Sequence, residues 1–145
     1  MTNDMLARAV RDGIARTIAV VGLAGVALIH LLDLPGKFSE TPYLAWMYIA
    51  LILGCLAAAA ALIRASDARA WAAAVLLPLG ALVGYTLTRT VGLPQAMGDI
   101  GNWTEPLGLA SLFVEASLVA LACTMLAGLR VAPARRFALV EAVRA

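Results

Sequence analysis

The residues TPYLAWMYIALILGCLAAAAALI, at positions 41–63, form a long run without a single charged side chain. Crossing the hydrocarbon core of a bilayer takes about 20 predominantly apolar residues in an α-helix. In lipid a backbone has to satisfy its own hydrogen bonds, and a helix does this within one segment. This stretch therefore predicts a transmembrane helix, and with it a membrane protein.

Three further apolar runs flank this one. They lie at 17–32, 70–88 and 106–129, and only Glu115 interrupts the last. With their ends included, the predicted spans cover about 14–34, 42–64, 70–89 and 105–129. The chain is 63% hydrophobic and 14% charged, whereas soluble domains are about a quarter charged. We expect an all-α, four-transmembrane-helix bundle that forms a single integral membrane domain over residues 1–145, with 130–145 as a basic cytoplasmic tail.

The basic residues predict how the chain is threaded. Nine of the eleven lie before the first span, between the second and third, or after the fourth; only Lys37 and Arg89 lie elsewhere. Cytoplasmic segments carry the excess of Lys and Arg, so both termini are expected in the cytoplasm and the other two connections outside. The preference for Arg over Lys and the abundance of Ala are typical of a GC-rich bacterial genome, which favours a bacterial inner membrane. The net charge of +2 does not predict nucleic-acid binding.

The two outward connections resemble each other. Each contains a Leu-Pro pair, then a polar stretch, then Thr and Glu beside a Pro that opens the next helix, at 34–42 and 93–106. Hydroxyl side chains cap helix starts, and Pro is tolerated in the first turn. The pattern favours two tandem helical hairpins and predicts a Leu-Pro turn at the start of each connection. The alternative is that any helix start collects these residue types.

Glu115 interrupts the fourth apolar run. Counted from Pro106 at about 1.5 Å per residue, it lies roughly 14 Å from the membrane boundary. A carboxylate at that depth costs at least about 2.5 kcal/mol on insertion scales, which favours a functional role. Ser111 lies one turn away on the same face. We predict Glu115 as a candidate acid or base; a Glu hydrogen-bonded to another helix is the alternative.

His30, the only histidine, lies near the outer end of the first span, with Asp33 three residues further on. A histidine beside a carboxylate can relay protons or bind a metal. A tetrahedral zinc site requires more His or Cys. His30 and Asp33 are therefore further catalytic candidates and candidate metal ligands, and the identity of any cofactor stays open.

Arg89 ends the third span on the outer side. It can act as the counter-ion of nearby acidic residues or clamp an anionic ligand through its two-pronged guanidinium. The neighbouring polar and aromatic residues of the outer half are expected to line one outward-facing pocket. The predicted ligand-binding residues are Tyr85, Arg89, Asp99, Glu105, Glu40, Trp103 and Ser111.

Gly80 and Gly84 form a GxxxG step in the third span. Small residues let helices approach closely in lipid. This face therefore predicts close packing, either within the bundle or between copies in a homo-oligomer.

The segments RTVGLP at 89–94 and NWTEPLG at 102–108, with His30 and Glu40 ahead of them, resemble a group of uncharacterised small four-span membrane proteins of actinobacteria. The resemblance implies the four-span architecture and does not imply an activity.

These features predict a small polytopic membrane protein whose outward polar pocket binds a small ligand, an ion or a partner protein. One alternative is a membrane-embedded enzyme of the acid/base cyclase or isomerase type, which uses Glu115 on a lipophilic isoprenoid- or quinone-like substrate. Another is a proton- or metal-coupled transporter that acts as an oligomer. The expected partners are the lipid bilayer, a lipophilic small molecule and further copies of the chain.

Overall fold

A computed structural model of the protein describes the backbone of residues 2–144 and the side chains of residues 2–129. Four α-helices follow one another: α1 (Asn3–Glu40), α2 (Pro42–Arg64), α3 (Ala68–Thr90) and α4 (Pro106–Arg144). A single turn of 3₁₀-helix, Met97–Asp99, lies in the last connection. Between residues 2 and 144 there is no strand, so the predicted all-α fold is confirmed.

All four helices are long and apolar enough to cross a bilayer, α4 over Pro106–Leu129. Large apolar side chains such as Leu53, Ile63 and Phe113 are exposed on the outside of the bundle. A helix of a soluble protein keeps its outer face polar, whereas lipid accepts this apolar surface. The chain is a multi-pass membrane protein. The direction of threading and the kind of membrane stay predictions.

The helices pack as two hairpins side by side. α1 packs along α2 and α3 along α4, and α1 also contacts α4. We call the end of the bundle that carries Thr41 and residues 91–105 the loop end, and the end that carries residues 65–67 the terminal end. Toward the terminal end the core is built from small residues around Leu23, Leu62 and Trp71. Small residues let the helices approach closely in lipid.

The first connection is shorter than predicted. α1 continues through Leu34-Pro35 to Glu40, so the Leu-Pro turn predicted there is wrong, and the helix extends beyond 14–34 at both ends. Proline removes one backbone donor and crowds the preceding turn. The helix nevertheless continues to Glu40, and the N–H of Thr41 donates to the Lys37 carbonyl at 2.8 Å. Thr41 alone links α1 to α2, and its hydroxyl makes no cap hydrogen bond.

The second connection folds over the loop end. A turn occupies Pro94 and the residue after it, as the Leu-Pro pattern predicts. The chain reverses at Gly92, whose φ is +75°. The Tyr43 hydroxyl donates to the Pro94 carbonyl at 2.8 Å, and the Gly101 N–H donates to the Arg89 carbonyl at 2.9 Å. These bonds hold the connection against α2 and α3.

α4 begins at Pro106 and continues as a helix through Arg144. Most of the predicted basic tail at 130–145 is therefore helical in its backbone. Its basic side chains lie outside the described residues.

Candidate functional site

A cavity of about 410 Å³ lies among the four helices at the loop end. Every helix and the last connection contribute to its wall. Among the predicted site residues, His30, Asp33, Tyr85, Arg89, Asp99, Glu105 and Ser111 line it. Residues that are far apart in the sequence thus face one common space.

Three predicted site residues do not line the cavity. Glu40 lies outside it with its side chain 66% exposed, and its carboxylate is 3.4 Å from Lys37 Nζ. Trp103 packs against the outside of Tyr85, with ring centroids 6.0 Å apart. Glu115 lies behind the wall, buried to 1% exposure.

Glu115 contacts two residues of the cavity wall. The Ser111 hydroxyl donates to Glu115 Oε1 at 2.7 Å, and His30 Nε2 lies 3.8 Å from the same oxygen. Oε2 has no hydrogen-bond partner among residues 2–129. Ser111 and His30 both line the cavity, so they lie between Glu115 and the cavity. The shared face predicted for Ser111 and Glu115 is confirmed.

His30 is fixed in orientation by its own helix. Its Nδ1 lies 2.9 Å from the Val26 carbonyl oxygen. A carbonyl only accepts, so Nδ1 donates and Nε2 is the atom that faces Glu115. The other side of the ring meets Tyr48 edge to face, with centroids 4.6 Å apart.

Tyr48 connects His30 with Asp33 and was not predicted. Its hydroxyl donates to Asp33 Oδ2 at 3.3 Å while its ring contacts His30. The available signal was a tyrosine hydroxyl within an uncharged, predominantly apolar run. Tyr48 was counted only as part of the predicted span 42–64.

Arg89 forms an ion-paired cap above the cavity. The residue is 6% exposed; Nη1 lies 2.9 Å from Asp99 Oδ1, and Nη2 donates to Glu105 Oε2 at 2.9 Å. Its guanidinium carbon lies 4.8 Å from the centroid of the Tyr85 ring. Of the two roles considered for Arg89, the geometry matches the counter-ion. Two protein carboxylates already balance its charge, which weakens the attraction for an anionic ligand.

The charges around the cavity favour a ligand without negative charge. Three carboxylates (Asp33, Asp99 and Glu105) and two cations (Lys37 and Arg89) line it. Both cations already face Asp99, Lys37 at 3.9 Å. Asp33 takes part in none of the ion pairs found in the described part of the chain.

Tyr85 offers an unused polar group. Its hydroxyl is buried and has no hydrogen-bond partner within residues 2–129. Gly108 makes room for it, because a Cβ there would lie 2.8 Å from the hydroxyl oxygen. A buried polar group without a partner costs about 1–3 kcal/mol. A ligand that hydrogen-bonds to Tyr85 would recover part of this cost.

The remaining wall is apolar. α2 contributes Leu44, Met47 and Leu51, and α3 contributes Leu76 and Leu77. Cavities that bind small molecules typically combine mostly apolar walls with a few fixed polar groups. The sequence did not indicate which of its many leucines would form this wall.

Gly80 and Gly84 also line the cavity. A Cβ added to either would meet no atom within 4 Å. The close helix packing expected at this GxxxG step is not made inside the described bundle, where the two glycines instead widen the cavity. A homo-oligomer through the same face stays a prediction.

Among the residues described, no group of three or more His, Cys, Asp or Glu side chains could hold a metal ion. His30 and Asp33 share the cavity wall, but His30 Nε2 faces Glu115 while Asp33 accepts from Tyr48. The two candidate ligands therefore engage different partners.

The chain matches no protein-family model, no curated protein and no solved structure. The resemblance to small actinobacterial four-span proteins stays a prediction, and any function has to be inferred from the cavity itself.

Proposed function

We propose that this membrane protein binds a small, uncharged lipophilic molecule with a hydrogen-bonding polar group in the cavity at its loop end. The observation that carries the proposal is one cavity of about 410 Å³ whose apolar walls surround the unpartnered Tyr85 hydroxyl. Its size falls within the range of about 300–1,000 Å³ that is usual for small-molecule pockets.

The polar group of the ligand belongs beside Tyr85, and its apolar part along α2 and α3. A phenolic hydroxyl both donates and accepts, so it can pair with an alcohol or with a quinone carbonyl. A neutral group is favoured because Asp99 and Glu105 already balance the charge of the Arg89 guanidinium. Isoprenoid alcohols and quinones meet these requirements.

The proposal is tested with two uncharged probes, farnesol and decylubiquinone, added to the purified protein in detergent. A ligand that binds only the folded state raises the Tm as its concentration rises. We expect a saturable rise with at least one probe. If neither probe raises the Tm, the proposal is wrong.

Tyr85→Phe tests the polar contact, because it keeps the ring and removes the hydroxyl. One hydrogen bond contributes about 0.5–1.5 kcal/mol, so affinity for the bound probe should fall about 2- to 12-fold. Farnesane, the saturated hydrocarbon that has the carbon skeleton of farnesol and no hydroxyl, should bind both forms equally. Tyr43→Phe is the matched control, because the Tyr43 hydroxyl bonds to Pro94 outside the cavity. Equal losses in the two variants would contradict the assigned contact.

A second candidate function is acid/base catalysis on the bound molecule, and the position of Ser111 favours it. The Ser111 hydroxyl contacts Glu115 at 2.7 Å and also lines the cavity. Since a hydroxyl both donates and accepts, Ser111 can relay a proton between Glu115 and an alkene or carbonyl. Incubation of the protein with farnesol in D₂O distinguishes the two functions. Catalysis predicts deuterium uptake into carbon that Glu115→Gln abolishes, whereas simple binding predicts none.

A further inference from the structure

We infer that the ligand exchanges sideways with the bilayer through an opening between α2 and α3, and that its chain lies in this opening while its polar group points to the loop end. The inference rests on the proposed function, because it concerns the same cavity.

The facing edges of α2 and α3 line the cavity and are also exposed on the outside of the bundle. On α2 these residues are Met47 and Ala50, and on α3 they are Leu76 and Gly80. Met47 is 59% exposed and Leu76 is 66% exposed. Residues that face both a cavity and the outside form the rim of an opening. We call these four residues the rim.

The rim lies at the depth of the hydrocarbon core. Met47 is about 8 Å along α2 from its start at Pro42, and Gly80 is about 15 Å along α3 from its end at Thr90, at 1.5 Å per residue. The hydrocarbon core is about 30 Å thick. All four rim residues are apolar, so acyl chains rather than water contact this opening.

Toward the terminal end the opening is closed. A Cβ added to Gly54 would lie 2.9 Å from Leu77 Cδ2, which shows that α2 and α3 touch there. Leu77 also lines the cavity and thus forms part of its floor. Beyond it, Cys55, Ala58 and Ala74 belong to the packed core.

Toward the loop end the cavity is covered by charged groups. Arg89, at 6% exposure, pairs with Asp99 and Glu105 across the top. Tyr43 holds the overlying connection through Pro94. Exchange in this direction requires breaking ion pairs, whereas sideways exchange displaces only apolar side chains.

Gly80 and Gly84 keep the opening clear. Both line the cavity, and a Cβ at either position would meet no atom within 4 Å. A large side chain at Gly80 should therefore fill the passage without displacing a neighbour. Gly128 provides a matched control, because its Cβ position is also free and it does not line the cavity.

The test uses the full chain in phosphatidylcholine vesicles with a farnesol that carries a photoreactive diazirine at its chain end. After illumination, labelled residues are mapped by mass spectrometry, with and without excess farnesol. We expect labelling of the rim that excess farnesol prevents. Gly80→Leu should reduce this competable labelling to background, while Gly128→Leu should leave it unchanged. The Tm of both variants shows whether they remain folded.

Other outcomes separate the inference from the proposed function. Competable labelling confined to the connection at 91–105 would overturn the sideways orientation and leave the binding function intact. Unchanged rim labelling in Gly80→Leu would overturn the assigned passage. Labelling that excess farnesol never prevents, at any residue, would contradict both the inference and the proposed function.

Discussion

Arg89 shows at the scale of a single residue how a charge is kept at the edge of an apolar bundle. It is nearly buried, and it is compensated by two carboxylates, each at 2.9 Å. Asp99 and Glu105 are more exposed than Arg89, with side chains 27% and 35% accessible. Arg89 therefore loses more of its hydration than either carboxylate does, and both ion pairs of the network require its guanidinium.

Arg89→Gln should destabilise the protein, because it leaves Glu105 without its cation and Asp99 with only Lys37, at 3.9 Å. Hydrogen bonds to charged groups contribute about 1.5–3 kcal/mol, and partial exposure of the carboxylates places the expected loss at the lower end of this range. The Tm in detergent measures it. Arg64→Gln is the control, because Arg64 is exposed and forms no ion pair in the described part of the chain. Equal shifts for the two variants would contradict the role of Arg89.

Ser111 stabilises the buried Glu115 through a hydrogen bond, as Asp99 and Glu105 stabilise Arg89 through ion pairs. Ser111→Ala removes the hydroxyl that donates to Glu115 Oε1 and leaves a buried carboxyl without a hydrogen bond. The expected cost is about 1–3 kcal/mol, measured as a lower Tm. Ser117→Ala, at an exposed position of the same helix, should have little effect. A Tm for Ser111→Ala as high as that of the control would show that Glu115 has another partner.

At the scale of elements, the connection after α3 depends on Gly92. Its φ of +75° costs a residue with a side chain about 1–2 kcal/mol, and a Cβ there would also lie 2.6 Å from Met97 Sδ. Gly92→Ala should therefore lower the Tm and speed cleavage of this connection by added protease. Gly98→Ala tests the same connection where a Cβ has free space, and it should behave as wild type. Matching cleavage rates for the two variants would contradict the prediction.

The element boundaries show what local sequence can predict. α2 matches the predicted span 42–64, and α3 begins and ends within two residues of prediction, because polar segments separate these spans clearly. α4 begins one residue after its predicted start but continues past 129 to Arg144. α1 differs at its end because Pro35 was interpreted as a helix end, and at its start because the charged residues before 14 were placed ahead of the span. Proline removes one backbone hydrogen bond but does not always end a helix. Here the helix continues past Pro35, and the Thr41 N–H donates to the Lys37 carbonyl.

The location of the site was predictable, but only some of its contacts were, namely those of Ser111 with Glu115 and of Arg89 with its acidic neighbours. Polar residues concentrated near two connections indicated one end of the bundle, and the cavity lies there. The rotation of each helix about its axis depends on packing between helices, which a single sequence does not display. For this reason Tyr48 was missed, Glu115 lies behind the wall, and Trp103 and Glu40 lie outside it.

At the scale of the whole molecule, the direction of threading is the main prediction still to be tested. In a variant with Cys55→Ala and Cys123→Ala, single cysteines are introduced as Gly98→Cys at the loop end and Ala65→Cys at the terminal end. The positive-inside rule predicts that a membrane-impermeant maleimide labels Gly98→Cys on intact bacterial cells and Ala65→Cys only after permeabilisation. The reverse pattern would show that the loop end faces the cytoplasm.

The contact between Glu115 on the last helix and His30 on the first has a consequence for biosynthesis. About 85 residues separate them, so at about 5–20 residues per second the ribosome makes Glu115 roughly 4–17 s after His30. Ser111, by contrast, is made just before Glu115 and lies on the same helix face. The carboxyl group thus leaves the translocon together with its own hydrogen-bond donor. We expect Ser111 to ease insertion of the fourth helix before that helix has packed against the first hairpin.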